Sequence, residues 1–444
     1  MIRVEGFNKA KQLLTRKGFS ESFITSSRLA RQEECISEDK PSPQEVVERI
    51  LRDVQDKGDE ALFYYTNKLD GVDLDSLEVS RREISAAYDV VDEKLTSALG
   101  LAAKRIRDFH LACAPQSGTI FVNQHLGRKV QPLDKVGLYI PGGTAAYPSS
   151  VLMTAIPAKV AGVRDIIITS PPAKNGSIPA ATLVASDIAE VSRVFKIGGA
   201  QAIGALAFGT ESVPRVDKIC GPGNIFVTLA KKMVYGTVAI DGLQGPSEIV
   251  IVADETANPS LCAADLLAQV EHDTLASAIL ITTSPDLANH VDKEVAAQLR
   301  KLKRISIATQ AINKGMLVIV NNIAEAIELV NLYAPEHLSL MVSDAFSITH
   351  LIHNAGCMFV GENSPVVLGD YIAGPSHVLP TSGSARFSSP LSVEDFLKTT
   401  NIVSLDKATM QELSQPAITI AGAEGLDAHA KAILLRAETI SKNK

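Results

Sequence analysis

From residue 135 onward the sequence alternates short apolar runs with helical patterns, and this alternation limits the possible folds more than any other feature. The predicted strands cover residues 135–140, 165–169, 193–198, 247–253, 277–282, 316–321, 338–342 and 357–361. The predicted helices between them cover residues 150–162, 179–191, 200–208, 224–234, 260–273, 286–301 and 322–333. Continuous apolar strands separated by helices indicate parallel sheets covered on both faces. One sheet of so many strands would be very wide, so we predict two α/β units.

Composition and charge argue against several classes of partner. Charged residues make up 21% of the 444 residues and the net charge is −7, so nucleic acid and anionic membrane are not expected to bind. The five cysteines form no C-x-x-C pair, which argues against a disulfide scaffold or a cysteine-rich zinc site. The chain has no apolar run of membrane-spanning length, and its start lacks the apolar core of a signal peptide. We therefore expect a cytoplasmic protein.

The regions outside the alternating pattern make separate predictions. Residues 1–35 are polar and helical in pattern, which predicts an N-terminal helical arm. Ser42, Pro43 and Glu45 then form the signature of a capped helix start. Residues 361–391 are dense in Gly, Pro and Ser but keep apolar and aromatic side chains, so we predict an ordered segment that carries a site.

The stretch LLAQVEHD, residues 266–273, predicts a helix with an unusual polar face. Leu266, Leu267 and Val270 form a buried stripe, while Gln269 and His272 are three residues apart on the other side. This second face is either a solvated surface or two ligands of a metal ion. Further O and N donors of the kind that suits Zn²⁺ occur in the long segment and near the C-terminus, as Asp370, His377, Glu424 and His429.

Adjacent Glu336 and His337 come between a predicted helix and a strand. A carboxylate beside an imidazole offers two bases, although neighbouring side chains of an extended chain point apart and the pair would need a bend. The alternative is a surface ion at a strand start.

Glycine turns at residues 141–143, 198–201 and 221–224 either bind phosphate or are simple strand-to-helix turns, since neither nucleotide-binding fingerprint occurs.

Eight segments of the chain occur in the order found in one enzyme family. They are VGLYIPGGTAAYPSSVLM, GGAQAIGALAFGT, DKICGPGN, GPSEIVIVAD, LLAQVEHD, YAPEHL, GPSHVLPTSGSARFSSPLS and AHAKAI. On these motifs the chain, from about residue 25 to 440, resembles the histidinol dehydrogenases. The resemblance implies a zinc-dependent, NAD-linked homodimer that oxidises L-histidinol to L-histidine in the last step of histidine biosynthesis.

The resemblance also implies an architecture. The core would be two incomplete Rossmann-like parallel-sheet units of the aldehyde-dehydrogenase-like kind, with a helical N-terminal arm and a C-terminal helical segment. The implied boundaries are an arm over 1–35, a first domain over 36–137 and 247–391, a second, NAD-contacting domain over 138–246, and a dimerisation segment over 392–444.

The same resemblance assigns roles to individual residues. The implied zinc ligands are Gln269, His272, Asp370 and His429, and the implied catalytic residues are Glu336 and His337. The implied substrate contacts are Ser247, Gln269, His272, His337, Asp370, His377, Glu424 and His429. The NAD contacts are Tyr139, Gln201 and Asn224. Because the C-terminal segment of such homodimers reaches across, His429 is expected to serve the partner's zinc.

Two residues depart from the family pattern, and three other functions stay open. Gln244 stands where the family usually has Ala, and Ser376 where Asn is common, and both would flank the implied substrate pocket. One alternative is a paralogous zinc- and NAD-dependent dehydrogenase of another small amino alcohol or diol. A second is a metallohydrolase with Glu336 as the water-activating base. A third is a non-catalytic metal-binding or interaction protein, against which the complete set of site residues argues.

Overall fold

The computed structural model of the chain describes residues 1–16, 41–142 and 146–442. Its strands are β1 (Ile2–Glu5), β2 (Gly118–Phe121), β3 (Leu126–Pro132), β4 (Lys135–Tyr139), β5 (Asp165–Thr169), β6 (Arg193–Phe195), β7 (Lys218–Cys220), β8 (Ala239–Ile240), β9 (Glu248–Ala253), β10 (Ser277–Thr282), β11 (Met316–Ile319), β12 (His337–Met341), β13 (Cys357–Val360) and β14 (Leu397–Val403). Its α-helices are α1 (Phe7–Leu14), α2 (Pro43–Lys57), α3 (Asp59–Tyr65), α4 (Arg81–Val90), α5 (Glu93–Cys113), α6 (Pro148–Ala161), α7 (Ala180–Ile188), α8 (Gly199–Phe208), α9 (Ile225–Val234), α10 (Pro259–Val270), α11 (Pro285–Leu299), α12 (Ile305–Ile312), α13 (Ile323–Tyr333), α14 (Val366–Tyr371), α15 (Lys407–Ala423) and α16 (Asp427–Lys442). Short turns of other helix types cover Thr66–Asp70 (π) and Thr349–Leu351, Ser384–Arg386 and Val393–Phe396 (3₁₀).

Two parallel sheets form the framework of the first compact unit, which comprises Met1–Ala114 and Leu133–Phe396. The larger sheet has the strand order β1-β11-β10-β9-β12-β13, and the smaller has the order β6-β5-β4-β7-β8. Every pairing within them is parallel. The predicted α/β class with two parallel-sheet units is thus confirmed.

The apolar strands of the larger sheet are buried on both faces. Along β9 the side chains alternate, with Ile249 and Ile251 in one apolar core and Val250 and Val252 in the other. All four are completely shielded from solvent. A strand covered on both sides needs an apolar residue at every position, which is why it is continuous in the sequence.

The N-terminal segment differs from the predicted helical arm. Residues Ile2–Glu5 form strand β1, which pairs in parallel with β11 at the edge of the larger sheet, and only then does α1 begin. Within this strand only Val4 is buried, so the sequence has no periodic signal there. The rest of the predicted arm, residues 17–35, lies outside the described residues.

Helix α2 packs on the smaller sheet's helices. Val47 and Leu51 lie in the same apolar core as Ile203 and Leu206 of α8. The predicted domain division places residues 36–137 with the larger sheet. That division stays a prediction, but this packing favours assigning α2 to the smaller sheet instead.

The second compact unit comprises Pro115–Pro132 and Leu397–Lys444. It contains the antiparallel sheet β14-β3-β2 and the helices α15 and α16. The predicted C-terminal helical segment is therefore helical only after β14. Across the described ranges, no helix combines the length and the apolar character needed to cross a membrane.

His110 on α5 predicts a pH-dependent stability. Its side chain is buried, its Nε2 has no hydrogen-bond partner within the described residues, and burial lowers its pKa to about 4. Between these two pKa values the unfolded chain binds a proton that the folded chain does not, so the free energy of unfolding should fall by about 2 kcal/mol from pH 7.5 to pH 5. The His110→Leu variant should lose this contribution. Thermal unfolding of both proteins at pH 7.5 and 5 measures it, and parallel pH profiles would contradict it.

Candidate active site

Glu336 and His337 lie at the start of β12, beside the start of β9. Helix α13 ends at Tyr333, Ala334 adopts a left-handed conformation with φ 51°, and the backbone bends at Glu336. As a result both side chains contact the backbone of Glu248: its N–H donates to Glu336 Oε2 at 2.8 Å, and its carbonyl lies 3.0 Å from His337 Nδ1. Both side chains are buried, so they are not surface ions.

The hydrogen bond to Glu248 determines the tautomer of His337. A carbonyl oxygen only accepts, so Nδ1 carries the hydrogen, and the neutral ring has its lone pair on Nε2. Nε2 lies 3.6 Å from Asp370 Oδ1 on α14, and Nδ1 lies 3.4 Å from Glu336 Oε2. Burial lowers the pKa of His337, but the carboxylates of Glu336 and Asp370 outweigh it and raise the pKa to about 10.

Asp370 is surrounded by imidazoles. Burial acts to raise its pKa, but His337, His377 and His272 together hold the pKa below its ordinary value. His377 Nδ1 donates to the backbone carbonyl of Asp370 at 2.8 Å, and its Nε2 faces Ser150 Oγ on α6 at 3.3 Å. The segment of residues 361–391 is therefore ordered, as predicted, and it places the side chains of Asp370 and His377 near His337.

Helix α10 does not present a solvated polar face. Leu266, Leu267 and Val270 are buried as predicted, but Gln269 is buried too. The helix ends at Val270, so His272 lies beyond it and is exposed to solvent. The backbone N–H of His272 donates to the carbonyl of Gln269 at 3.4 Å. The prediction that the helix extends through His272 is wrong, because α10 ends two residues before it.

The described part of the chain brings no three His, Cys, Asp or Glu side chains together as a metal centre. Three of the four implied zinc ligands lie in the first unit. Among these three, His272 and Asp370 supply an imidazole and a carboxylate, whereas Gln269 supplies an amide. Glu424 follows α15 and His429 lies on α16, both exposed and both in the second unit. The complete ligand set stays a prediction.

The implied NAD contacts lie on the smaller sheet and its helices. Tyr139 ends β4, and its hydroxyl accepts the backbone N–H of Gly199 at 3.2 Å, where α8 begins. Gln201 in the first turn of α8 is buried, and its Oε1 has no partner among the described residues. Asn224 caps α9 by accepting from the N–H groups of Phe226 and Val227, both at 3.1 Å. Of the glycine turn at 141–143, residue 143 lies outside the described residues.

Comparison with known proteins identifies the family. The family model described as histidinol dehydrogenase matches residues 34–437. The chain belongs to the histidinol dehydrogenase family. A histidinol dehydrogenase of Dehalococcoides mccartyi strain CBDB1 is 51% identical over 439 residues, which cover 98% of this chain and 99% of the relative. A histidinol dehydrogenase of Methanocaldococcus jannaschii is 47% identical over 411 residues, 91% of this chain and 96% of its own.

A solved structure supports the same conclusion. The crystal structure of histidinol dehydrogenase from Elizabethkingia anophelis matches with a TM-score of 0.90 and 35% identity, covering 99% of both chains. The resemblance seen in the eight ordered segments is thereby confirmed. Membership of the histidinol dehydrogenase family makes the chain an oxidoreductase of histidine biosynthesis.

The two departures from the family pattern have structural partners. Gln244 Oε1 accepts from the buried ammonium of Lys231 at 2.9 Å, and the same ammonium contacts Asp241 Oδ1 at 2.5 Å and the Gly221 carbonyl at 3.0 Å. Ser376 is buried, and its hydroxyl donates to the carbonyl of Met153 at 2.9 Å. Sequence patterns did not reveal Lys231, because a lysine on a helix usually projects into solvent.

Removing the Lys231 ammonium should destabilise the protein strongly. The Lys231→Met variant leaves Asp241 buried without its cation, which should lower the free energy of unfolding by about 3–5 kcal/mol. Gln244→Ala removes one of three acceptors and should cost about 1 kcal/mol. Unfolding in urea measures both, with Lys94→Met, an exposed lysine, as the control. Equal stability of Lys231→Met and the control would show that the buried pair has no such role.

Proposed function

We propose that the chain is a histidinol dehydrogenase that oxidises L-histidinol to L-histidine by way of L-histidinaldehyde, with NAD and one zinc ion per subunit. The observation that carries the proposal is the buried pair Glu336–His337, held on the backbone of Glu248 and facing Asp370. Such a pair offers one base for a hydroxyl proton and a second base for water. Oxidising an alcohol to an acid needs both functions.

The donors available suit the two cofactors. An amide oxygen, two imidazoles and a carboxylate form a zinc-type ligand set without thiolates, and we assign them to Gln269, His272, Asp370 and His429. Zinc, when bound, would hold the amine and imidazole nitrogens of histidinol and offset the charge of Asp370. For NAD, which supplies the hydride acceptor, the buried Gln201 Oε1, which has no partner within the described ranges, is an acceptor that a ligand N–H or O–H would satisfy. Tyr139 and Asn224 complete the proposed cofactor contacts.

His337 acts first in the proposed mechanism. In the neutral ring Nδ1–H is held by the Glu248 carbonyl, so Nε2 is the atom that accepts the substrate hydroxyl proton as hydride leaves to NAD and the alcohol becomes the aldehyde. A cation bound at Asp370 would offset the carboxylate that raises the pKa of His337 and would favour this neutral ring. Ser247, His377 and Glu424 are the proposed contacts that hold the substrate during this step. The aldehyde then stays bound for a second oxidation.

Glu336 acts in the second half of the reaction. Its carboxylate would remove a proton from water as the water attacks the aldehyde carbon, and protonated His337 would return its proton to the aldehyde oxygen, which gives the gem-diol. His337, neutral again, then accepts a proton from the diol as a second hydride leaves to NAD and the acid forms. Enzymes that oxidise aldehydes often use a cysteine thioester instead, but burial raises the pKa of Cys357, the cysteine near Asp370, to about 11, so its reactive thiolate is scarce at neutral pH.

The assembly we propose is a cytoplasmic homodimer with shared sites. His429 and Glu424 lie in the second compact unit, and we propose that they complete the site of the partner subunit. Neither nucleic acid nor membrane is a proposed partner. A subunit-mixing experiment tests the sharing: inactive His337→Asn and inactive His429→Ala chains should regain activity when they form mixed dimers.

Counting NADH tests the function itself. With limiting L-histidinol and excess NAD, we expect two NADH per histidinol, lost on chelation and restored by zinc. One NADH per histidinol would indicate an enzyme that stops at the aldehyde. No NADH from the folded, zinc-loaded protein would contradict the proposal and favour a dehydrogenase of another amino alcohol or diol, and failure to bind NAD would favour the metallohydrolase.

A further inference from the structure

Glu248 connects the two residues that act in the proposed mechanism. Its N–H donates to Glu336 and its carbonyl accepts from His337, so its backbone position sets where both reactive groups lie. Ser247, a proposed substrate contact, precedes it directly. The side chain of Glu248 itself is buried, with 8% of its surface exposed. A residue that fixes this carboxylate therefore also helps to fix the backbone that positions Glu336 and His337.

Arg16, from the N-terminal segment, binds the Glu248 carboxylate through both Nη atoms of its guanidinium. Nη1 donates to Oε1 at 2.8 Å and Nη2 to Oε2 at 2.6 Å. Such a bidentate pair fixes orientation as well as charge. Burial raises the pKa of Glu248 and nearby Glu336 adds to the rise, while Arg16 and the Ser382 backbone oppose it. The guanidinium thus stabilises a carboxylate that would otherwise tend to take up a proton.

Arg16 also contacts the end of α13. Its Nε donates to the carbonyl of Tyr333 at 2.7 Å, and its guanidinium carbon lies 3.9 Å from the centre of the Tyr333 ring. Tyr333 is followed by the left-handed Ala334 and then by the bend that presents Glu336. On another side Gly383 packs so closely that an added Cβ would lie 2.7 Å from Arg16 Cδ. The arginine is enclosed by the elements that lead to the site.

We infer that Arg16 is a positioning residue for the reaction: by joining Glu248 to the end of α13, it fixes Glu336 and His337 in their working positions. The inference rests on the proposed function. Because a small misplacement of reacting groups is costly to rate, it acts on the chemical steps more than on substrate capture.

Steady-state kinetics with a matched control tests the inference. In Arg16→Ala we expect kcat for NADH formation from L-histidinol to fall about 10–100-fold, with a much smaller change in KM. The kcat of Arg16→Lys should lie between those of the wild-type protein and Arg16→Ala, since an ammonium cannot make the same two parallel hydrogen bonds. Arg3→Gln is the control, because Arg3 lies in the same segment in an exposed pair with Glu5. It should keep the wild-type kcat.

Chemical rescue separates positioning from a general structural role. The Arg16 side chain is 25% exposed, so a small cation can reach its place. Guanidinium chloride, at concentrations that leave the fold intact, should raise kcat of Arg16→Ala several-fold, whereas equal NaCl or urea should not. A wild-type kcat in Arg16→Ala and Arg16→Lys, or lost activity that follows lost thermal stability without rescue, would overturn the inference. If the wild-type protein itself forms no NADH from histidinol, the proposed function fails instead.

Discussion

Replacing His337 with Asn should lower kcat for oxidation of L-histidinol about 10²–10⁴-fold while the protein stays folded. An Asn amide can still donate to the Glu248 carbonyl, where His337 Nδ1 donates at 3.0 Å, but it has no basic nitrogen in place of Nε2. The change therefore removes the proposed base and keeps its anchor. An alanine in its place would also leave a buried cavity and an unpaired carbonyl, so its effect would mix stability with catalysis.

The control for this prediction is another histidine. His290 is exposed on α11 and is not among the proposed site residues, so His290→Asn should keep the wild-type rate. Zinc content and thermal unfolding of both variants should match the wild-type protein. If His337→Asn oxidised histidinol at the wild-type rate, His337 would not be the base, and Glu336 would have to serve both halves of the reaction.

The framework of the fold was predictable because its signal is local. All eight predicted strands exist, since strands buried on both faces, such as β9, are apolar at successive positions. The strands that pattern reading missed lack this property. β7 and β8 are only three and two residues long, and β14 is largely exposed, with Lys398, Thr399 and Thr400 among its residues. Their pairing depends on neighbours far away in the sequence.

The candidate site was predictable in its residue types but not in its geometry. The adjacency of Glu336 and His337 is visible in the sequence, whereas the bend that turns both toward Glu248 depends on the left-handed Ala334, a conformation that alanine rarely adopts. Arg16 and Glu248 are 232 positions apart, so no local pattern links them. A family resemblance carries over the residues that act on the substrate. It does not show what holds them in place.

Gln269 shows how a local pattern can mislead. Periodicity places it opposite the apolar stripe of α10, which usually means solvent. In the structure this side of the helix is buried as well. Asp265, one turn earlier, is also buried, and its Oδ2 has no hydrogen-bond partner in the part of the chain that the structure describes. Burial raises the pKa of Asp265 to about 6. Which face of a helix is covered is set by the other elements packed on it, and these are remote in sequence.

Replacing Glu336 with Gln should slow the second oxidation far more than the first. The amide keeps the size of the side chain and an oxygen that can accept the Glu248 N–H, at 2.8 Å from Oε2 in the wild-type protein. It cannot take a proton from water, so hydration of the bound aldehyde loses its base, which should cost about 10²–10³-fold. The alcohol should still be oxidised by His337. A single turnover with NAD should therefore give one NADH quickly and the second slowly.

Supplying L-histidinaldehyde directly isolates the affected step. With the aldehyde as substrate, Glu336→Gln should form NADH about 10²–10³-fold more slowly than the wild-type protein. The control Glu328→Gln, an exposed carboxylate on α13 paired with Lys11, should match the wild-type rate. Oxidation of the aldehyde at the normal rate would show that Glu336 is not the water base. Equal slowing of both oxidations would instead mean that Glu336 serves mainly to orient His337, whose Nδ1 lies 3.4 Å from its carboxylate.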